Sequence, residues 1–416
     1  MARIGVIGAG YVGLTTAACF AELGHDVVCA DVDEGRVRAL RRAEVAVLEP
    51  GLTALVERGL ATGRLRFVRG NRDALAGRDF VFLCVPTPTG GDGAADLSAV
   101  HAVLGEGHLL SPDSVLVLKS TVPPGTADTV ADVVDVPVVS NPEFLREGHA
   151  VEDFLRPQRI VVGGPAARRV SALYRAEGVP VVVTSTVGAE LVKYASNCFL
   201  AVKLSYVNSL AELCEQVGAD VEDVTAAMGL DDRIGTAFLA PGPGWGGSCL
   251  PKDTRALLAA AERAGVDFPL LGAAISTNDH QPHRVVAKLR DVVGPLEGAR
   301  IALLGLAFKA GTNDLRDSPA LAVADLLAAE GADLVAYDPG VLAAAGLRVV
   351  ESAQDAARGA RALLVLTEWP EFAELDWPSL AQDMSDPVIV DTRNLVPPDK
   401  VVEAGFRLVG TGRRNP

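Results

Sequence analysis

Cys249 stands in the run Pro241-Gly-Pro-Gly-Trp-Gly-Gly-Ser-Cys249-Leu-Pro-Lys-Asp253. A thiolate there can add to a carbonyl carbon and hold it for a second chemical step. Glycine and proline keep residues 241–248 irregular and leave backbone open to a ligand. The segment beyond Pro251 predicts a helix over residues 253–264, so Cys249 falls near a helix N-terminus, where the positive end of the dipole favours thiolate. Asp253, four residues on, faces the same side if the first turn begins by Cys249. A buried structural cysteine is the competing reading, and the exposed glycine loop weighs against it.

Lys193 and Asn197 lie four apart in Glu190-Leu-Val-Lys-Tyr-Ala-Ser-Asn197, on one face of a predicted helix, where both can reach one ligand. Lys119-Ser-Thr121-Val-Pro-Pro comes after an apolar strand and puts a hydroxyl at the strand's carboxyl end. Asn141-Pro-Glu143-Phe-Leu-Arg-Glu147-Gly offers two acids at helical spacing at a loop-to-helix entry, a source for a general base and a group that positions water. Each has a plain structural alternative: a solvated lysine, a helix cap at Thr121, and acids that favour the dipole of a first helical turn.

These side chains need a scaffold, and the N-terminus supplies the first part. Arg3-Ile-Gly-Val-Ile-Gly8 is an apolar strand running into Gly8-Ala-Gly10-Tyr-Val-Gly13, a helical stretch continues to Leu23, and Gly24 to Asp31 is a second strand ending in an acid. In this βαβ unit Gly8 permits the tight turn, Gly10 lets the backbone approach a pyrophosphate, and Gly13 allows close helix packing. Asp31 accepts hydrogen bonds from a ribose 2′-hydroxyl and repels a 2′-phosphate, so NAD is favoured over NADP. Arg36, just beyond, is placed near the adenosine.

Further strands are predicted at residues 79–85, 114–118 and 159–162, filling an open parallel sheet whose carboxyl edge is the ligand side. From about 188 to 218 the pattern becomes one long helix, and another runs from about 270 to 293. Arg300 to Gly305 then mirrors Arg3 to Gly8, and Gly331 to Asp338 mirrors Gly24 to Asp31, with later strands at 362–367 and 388–391. This second βαβ-type domain lacks the second and third fingerprint glycines, and a second nucleotide-like ligand is its simplest occupant. The fold class is therefore α/β: two Rossmann-like, doubly wound parallel-sheet domains joined by a central helical domain, with boundaries at 1–187, 188–294 and 295–416. The long helices suit a spacer and a homodimer interface.

The 416 residues carry a net charge of −15, which argues against a nucleic-acid partner. Six cysteines are spread without metal-type spacing, and no metal site is expected. Neither a signal peptide nor a spanning segment is apparent, so no membrane partner and a cytoplasmic setting are expected.

Taken together the motifs resemble those of the nucleotide-sugar 6-dehydrogenases, the UDP-glucose/GDP-mannose dehydrogenase family. The resemblance runs from the fingerprint to Asp391-Thr-Arg393. It is most specific at Lys119-Ser-Thr-Val-Pro, Asn141-Pro-Glu-Phe-Leu-Arg-Glu-Gly, Asp232-Arg-Ile-Gly, the Cys249 run, Phe308-Lys309 and Arg316-Asp-Ser-Pro. It implies a four-electron oxidation of a sugar C6 hydroxyl by NAD, with Cys249 carrying first a thiohemiacetal and then a thioester. Lys193 would stabilise an oxyanion or exchange protons with Asn197 beside it, Asp253 and Thr121 would orient groups around water, and Glu143 would assist hydrolysis.

By the same resemblance Gly8, Gly10, Tyr11, Val12, Gly13, Asp31, Arg36, Pro86, Thr87, Thr121, Glu147, Lys252 and Arg316 would surround the cofactor. Glu143, Phe144, Leu145, Arg146, Glu147, Lys193, Asn197, Phe238, Gly246, Cys249, Phe308, Lys309 and Arg393 would surround the nucleotide sugar, and Arg233 would reach across a dimer interface. UDP-glucose is the substrate implied, with GDP-mannose or dTDP-glucose as alternatives. Leu250 and Trp245 depart from the commonest UDP-glucose pattern of phenylalanine and tyrosine, whereas Asp232-Arg-Ile-Gly and Phe238-Leu look like the glucose branch. Two other readings are a two-electron hydroxyacid dehydrogenase, which leaves Cys249 idle, and a non-catalytic NAD-binding protein, which leaves the polar constellation unexplained.

Overall fold

The computed structural model describes residues 1–91 and 93–413. Two compact units partition the chain: Met1–Ser196 with Arg255–Val266, and Asn197–Thr254 with Asp267–Pro416.

Eight strands form the sheet of the first unit: β1 Arg3–Ile7, β2 Asp26–Asp31, β3 Leu65–Arg69, β4 Phe80–Leu83, β5 Val115–Leu118, β6 Val138–Ser140, β7 Ile160–Gly163 and β8 Val181–Thr184. Their spatial order is β3-β2-β1-β4-β5-β6-β7-β8. All neighbours are parallel except β6 and β7, which meet antiparallel at Ser140 and Gly163. Apolar residues on both faces of β1 explain its central place: Ile4 and Val6 enter one core with Leu14, Phe20 and Phe82, while Ile7 enters another with Val28, Leu83 and Leu118. The order reverses between β1 and β4, so the crevice beyond their carboxyl ends is the expected ligand side.

The second unit carries β9 Arg300–Leu304, β10 Asp333–Tyr337, β11 Arg348–Val349, β12 Ala362–Val365, β13 Val388–Asp391 and β14 Arg407–Val409. Their order is β11-β10-β9-β12-β13-β14, and every pairing is parallel. The repeat seen in the sequence extends to register: Arg3 pairs with Asp26 in the first sheet and Arg300 with Asp333 in the second. Gly8 and Gly305, which directly follow β1 and β9, share the left-handed region at φ +98° and +96°.

Helix Thr186–Val217 is continuous over 32 residues, and helix Pro269–Val293 over 25. Three expectations need correction. The helix after Cys249 begins at Leu250, ahead of the predicted residue 253, because Pro251 and Lys252 fit the first turn. Residues 141–146 are irregular and lead into helix Ala150–Leu155, the loop-to-helix entry expected, but that helix begins beyond Glu147, so the spacing of Glu143 and Glu147 is not a helical one. Strands β3, β6, β8, β11 and β14 add to those expected from the sequence.

Candidate active site

In the first unit the fingerprint has the geometry its glycines require. A Cβ on Gly13 would lie 1.8 Å from the Gly8 carbonyl oxygen, so helix and turn are in backbone contact. A Cβ on Gly10 would meet nothing within 4 Å, which leaves space for a phosphate. Helix Tyr11–Glu22 begins directly after it, with its free amides at the same place. At the end of β2, Asp31 accepts from the amides of Ala9 (2.8 Å) and Asp33 (2.9 Å) and from Arg36 Nη1 (2.9 Å). Burial alone would raise that carboxyl, but these donors outweigh it and hold Asp31 below its ordinary value. An ionised Asp31 beside an open Gly10 fits NAD.

Arg36 is thus fixed against the acid, while Val12 is half-buried and Pro86 exposed. Tyr11 turns its hydroxyl to Glu49, whose carboxylate also takes the Gly148 amide at 2.8 Å. This ties the fingerprint helix to the loop carrying Glu147, a link that no sequence motif suggests. Thr87 Oγ1 donates to the Thr121 carbonyl at 2.8 Å and thereby fixes the Thr121 segment. Thr121 is half-buried and does not cap a helix, since Gly125 occupies that position for helix Thr126–Ala131.

Glu143 and Lys193 meet in the same unit. Both are almost fully buried, and Lys193 Nζ donates to Glu143 Oε1 at 2.8 Å. The second carboxylate oxygen takes the Leu145 amide at 2.6 Å. Burial pushes the Glu143 carboxyl up, but Lys193, the Leu145 amide and Lys119 together hold it below the ordinary carboxylate range. Two cations approach Phe144, with the Arg159 guanidinium 4.0 Å and Lys193 Nζ 5.6 Å from its ring centre. Arg146, by contrast, is exposed and bonded to Asp153.

The second unit gathers the thiol and its neighbours. Cys249 is the only half-accessible cysteine of the six; the other five are buried. Burial pushes the Cys84 and Cys198 thiols up to about 12, which makes them inert at neutral pH. The Cys249 carbonyl accepts from the Asp253 amide at 2.8 Å, so the first helical turn starts on the cysteine itself. Asp253 is fully buried, with one oxygen accepting from Asn197 Nδ2 at 2.6 Å and the other from Lys252 Nζ at 2.5 Å.

The loop ahead of the cysteine needs its glycines for close approach. A Cβ on Gly246 would lie 2.0 Å from the Asp317 carbonyl oxygen, and one on Gly247 would lie 2.7 Å from the Phe308 ring. Asn278 pins the loop from below by bonding the Trp245 amide at 2.7 Å. Arg393 Nε donates to the Leu366 carbonyl at 2.9 Å, and its guanidinium lies against Gly242. Phe308, Lys309, Gly246, Cys249 and Arg393 therefore sit in one unit around one loop, with Lys309 Nζ 6.0 Å from the Phe308 ring centre. Arg316 is exposed and bonded to Asp314, while Arg233 is exposed and bonded to Asp231. Phe238 holds a left-handed backbone at φ +61°, a strained conformation for a bulky residue.

Models of the UDP-glucose/GDP-mannose dehydrogenase family match residues 2–176 as its NAD binding domain, 187–280 as its central domain and 302–398 as its UDP binding domain. A UDP-glucose 6-dehydrogenase of Rhizobium meliloti is 45% identical, with 99% of each chain covered. The UDP-glucose 6-dehydrogenase TuaD of Bacillus subtilis is 42% identical over 99% of this chain and 94% of its own. The solved structure of a UDP-glucose dehydrogenase from Pyrobaculum islandicum superimposes with a TM-score of 0.92 at 37% identity, covering 100% of this chain and 98% of that one.

Proposed function

This chain belongs to the UDP-glucose/GDP-mannose dehydrogenase family, and from that premise we propose that it oxidises the C6 hydroxyl of UDP-glucose twice, yielding UDP-glucuronate. The fingerprint glycines and Asp31 would hold NAD, which would supply the hydride acceptor for each oxidation. All other steps fall to side chains of this chain.

The Glu143–Lys193 pair takes up the proton released by the C6 hydroxyl as the hydride leaves, and the Lys193 ammonium then faces the oxyanion that forms. The Cys249 sulfur adds to the aldehyde carbon, giving a thiohemiacetal whose further oxidation leaves a thioester. Water then adds to the thioester carbonyl and the sulfur departs, which returns Cys249 and releases a carboxylate. Glu143, held ionised beside Lys193, takes a proton from that water, while Asp253, Asn197 and Thr121 orient the groups around it. Lys309 and Arg393 supply positive charge for the diphosphate despite the acidic whole.

One observation carries this reading. The single accessible thiol begins the helical turn that holds Asp253 against Asn197. A two-electron dehydrogenase has no use for that arrangement.

The enzyme is further proposed to act as a cytoplasmic homodimer. Among the described residues no helix is long and apolar enough to cross a membrane. Phe199, Tyr206, Leu213 and Val217 form an exposed apolar stripe on helix Thr186–Val217, a face suited to a second copy. Arg233, 88% exposed at its side chain, is the residue proposed to reach a partner's site.

NADH yield from a panel of UDP-glucose, dTDP-glucose, GDP-mannose and a UDP-N-acetylhexosamine tests the assignment. Two NADH per UDP-glucose are expected, with far lower kcat/KM for the others. One NADH per sugar would overturn the covalent scheme, and preference for another nucleotide would reassign the substrate.

A further inference from the structure

Lys119 lies at the carboxyl end of β5 with only 2% of its surface exposed. Its ammonium donates to the Tyr174 hydroxyl at 2.9 Å and to Asn141 Oδ1 at 3.4 Å. The Tyr174 hydroxyl in turn donates to the same Asn141 oxygen at 2.5 Å, and Asn141 Nδ2 donates to the Val161 carbonyl at 2.9 Å. The rings of Phe154 and Tyr174 lie 5.7 and 5.5 Å from Nζ, within cation–π range. Among the described residues no carboxylate is within salt-bridge distance. The cation is therefore buried without a counter-ion, an expensive placement that an apolar side chain of like length would avoid.

Every bond in this network runs one way. The ammonium gives to a phenol oxygen and an amide oxygen, the phenol gives to the amide oxygen, and the amide gives to a backbone carbonyl. The Lys119 side chain is thereby held in one place by acceptors that touch no carboxylate. Lys193 differs, because it touches the carboxylate of Glu143 directly and is the group proposed to exchange protons. Asn141 links the two regions: its backbone amide bonds the Leu118 carbonyl at 2.9 Å, its side chain holds Lys119, and Glu143 lies two residues further on.

We propose that Lys119 is a positioning residue for the oxidation, whose ammonium, through Asn141 and its own field, holds the Glu143 carboxylate in place while Lys193 exchanges its proton. This rests on the proposed function, in which Glu143 and Lys193 act on the substrate. The groups facing Glu143 are Lys193 from helix Thr186–Val217, Lys119 from β5 and Cys84 from the end of β4, with Arg159 across the Phe144 ring. Cys84 is neutral, since burial pushes its thiol up to about 12. With Lys193 deprotonated, Lys119 remains as a positive charge that acts on this carboxylate.

The test monitors the Glu143 carboxyl directly, by infrared titration of the full-length protein, with the band assigned by its loss in Glu143→Gln. In Lys119→Met the midpoint moves to higher pH, and Lys119→Arg returns it toward the wild-type value. Lys119→Gln, polar but uncharged, serves as the neutral variant if the methionine protein does not fold. In parallel, kcat of the neutral variant at pH 7 falls roughly tenfold, its acid limb shifts to higher pH, and KM for NAD stays within about a factor of two. A merely structural lysine would lower stability and leave the midpoint where it was, and that outcome overturns the proposal. Absence of NADH from wild-type protein with any nucleotide sugar would instead sink the functional reading, and the infrared midpoint would still decide whether Lys119 governs Glu143.

Discussion

Asn197 donates its side-chain amide to Asp253 at 2.6 Å, and Asp253 has no surface exposed to solvent. A buried carboxylate is tolerable only while its oxygens are satisfied, and here one depends on Asn197 and the other on Lys252. Asn197→Ala leaves one oxygen without its donor, at a cost of about 1–3 kcal/mol in stability. The same change frees the carboxylate to turn away from the cysteine turn, so kcat is expected to fall by roughly 10²-fold, as for other lost positioning groups. Urea midpoints and steady-state rates check both parts. Unchanged kcat alongside lost stability would reduce the pair to a structural role.

Cys249 is set apart from its five buried counterparts by accessibility, and that contrast gives a direct experiment. Brief treatment of native protein with iodoacetamide, then peptide mass spectrometry, should label Cys249 well ahead of the other five. Prior nucleotide sugar should protect it. Cys249→Ser is expected to bind NAD as wild type does and to form no uronate. Full two-step turnover by the serine variant would rule out the covalent scheme.

Much of this is legible in the chain, for identifiable reasons. Gly8, Gly10, Gly13 and Asp31 are read from sequence because each answers to a backbone or hydrogen-bond demand of one local turn. The repeat of Arg3-Ile-Gly-Val-Ile-Gly8 at Arg300 survives as identical strand register, since parallel strands buried on both faces need the same apolar run. Strands β6 and β11 escape a sequence reading because three and two residues carry no measurable period, and β3 because arginines interrupt its apolar run. The spacing of Glu143 and Glu147 alone suggests a helix, whereas Pro142 disfavours helical backbone at Asn141 and the loop stays open. Long-range partners such as Glu49 with Tyr11, or Asn141 with Tyr174, have no local signature at all.

Glu190 makes stability depend on pH. It is 3% exposed and accepts from the amides of Gly125 at 2.6 Å and Ala127 at 2.7 Å, so helix Thr186–Val217 caps helix Thr126–Ala131 through it. Burial raises its carboxyl to about 7, only partly opposed by those two amides. A folded value above the unfolded one means the group favours the fold fully below the unfolded pKa of about 4.5 and that this contribution is lost as pH rises through 7. The full swing is on the order of 3 kcal/mol. Urea midpoints of wild type should therefore decline between pH 5 and 8 more steeply than those of Glu190→Gln, which has no charge to bury. Parallel pH profiles for the two proteins would show that Glu190 does not titrate in the fold.

Gly247 tests the loop on which the cysteine depends. Its φ of +83° is strained for any other residue, and a Cβ would fall 2.7 Å from the Phe308 ring. Gly247→Ala is thus expected to lose about 1 kcal/mol from the backbone and a further 1–3 kcal/mol from overpacking. Because the ring can yield only by moving away from the loop, KM for the nucleotide sugar should rise in the same variant. Phe308→Leu removes the contact but not the backbone strain. The double variant Gly247→Ala/Phe308→Leu should accordingly lose less stability than the sum of the two single changes, the deficit measuring the clash. Strict additivity in urea unfolding would mean that the loop accommodates the methyl group elsewhere, and that Phe308 does not set its position.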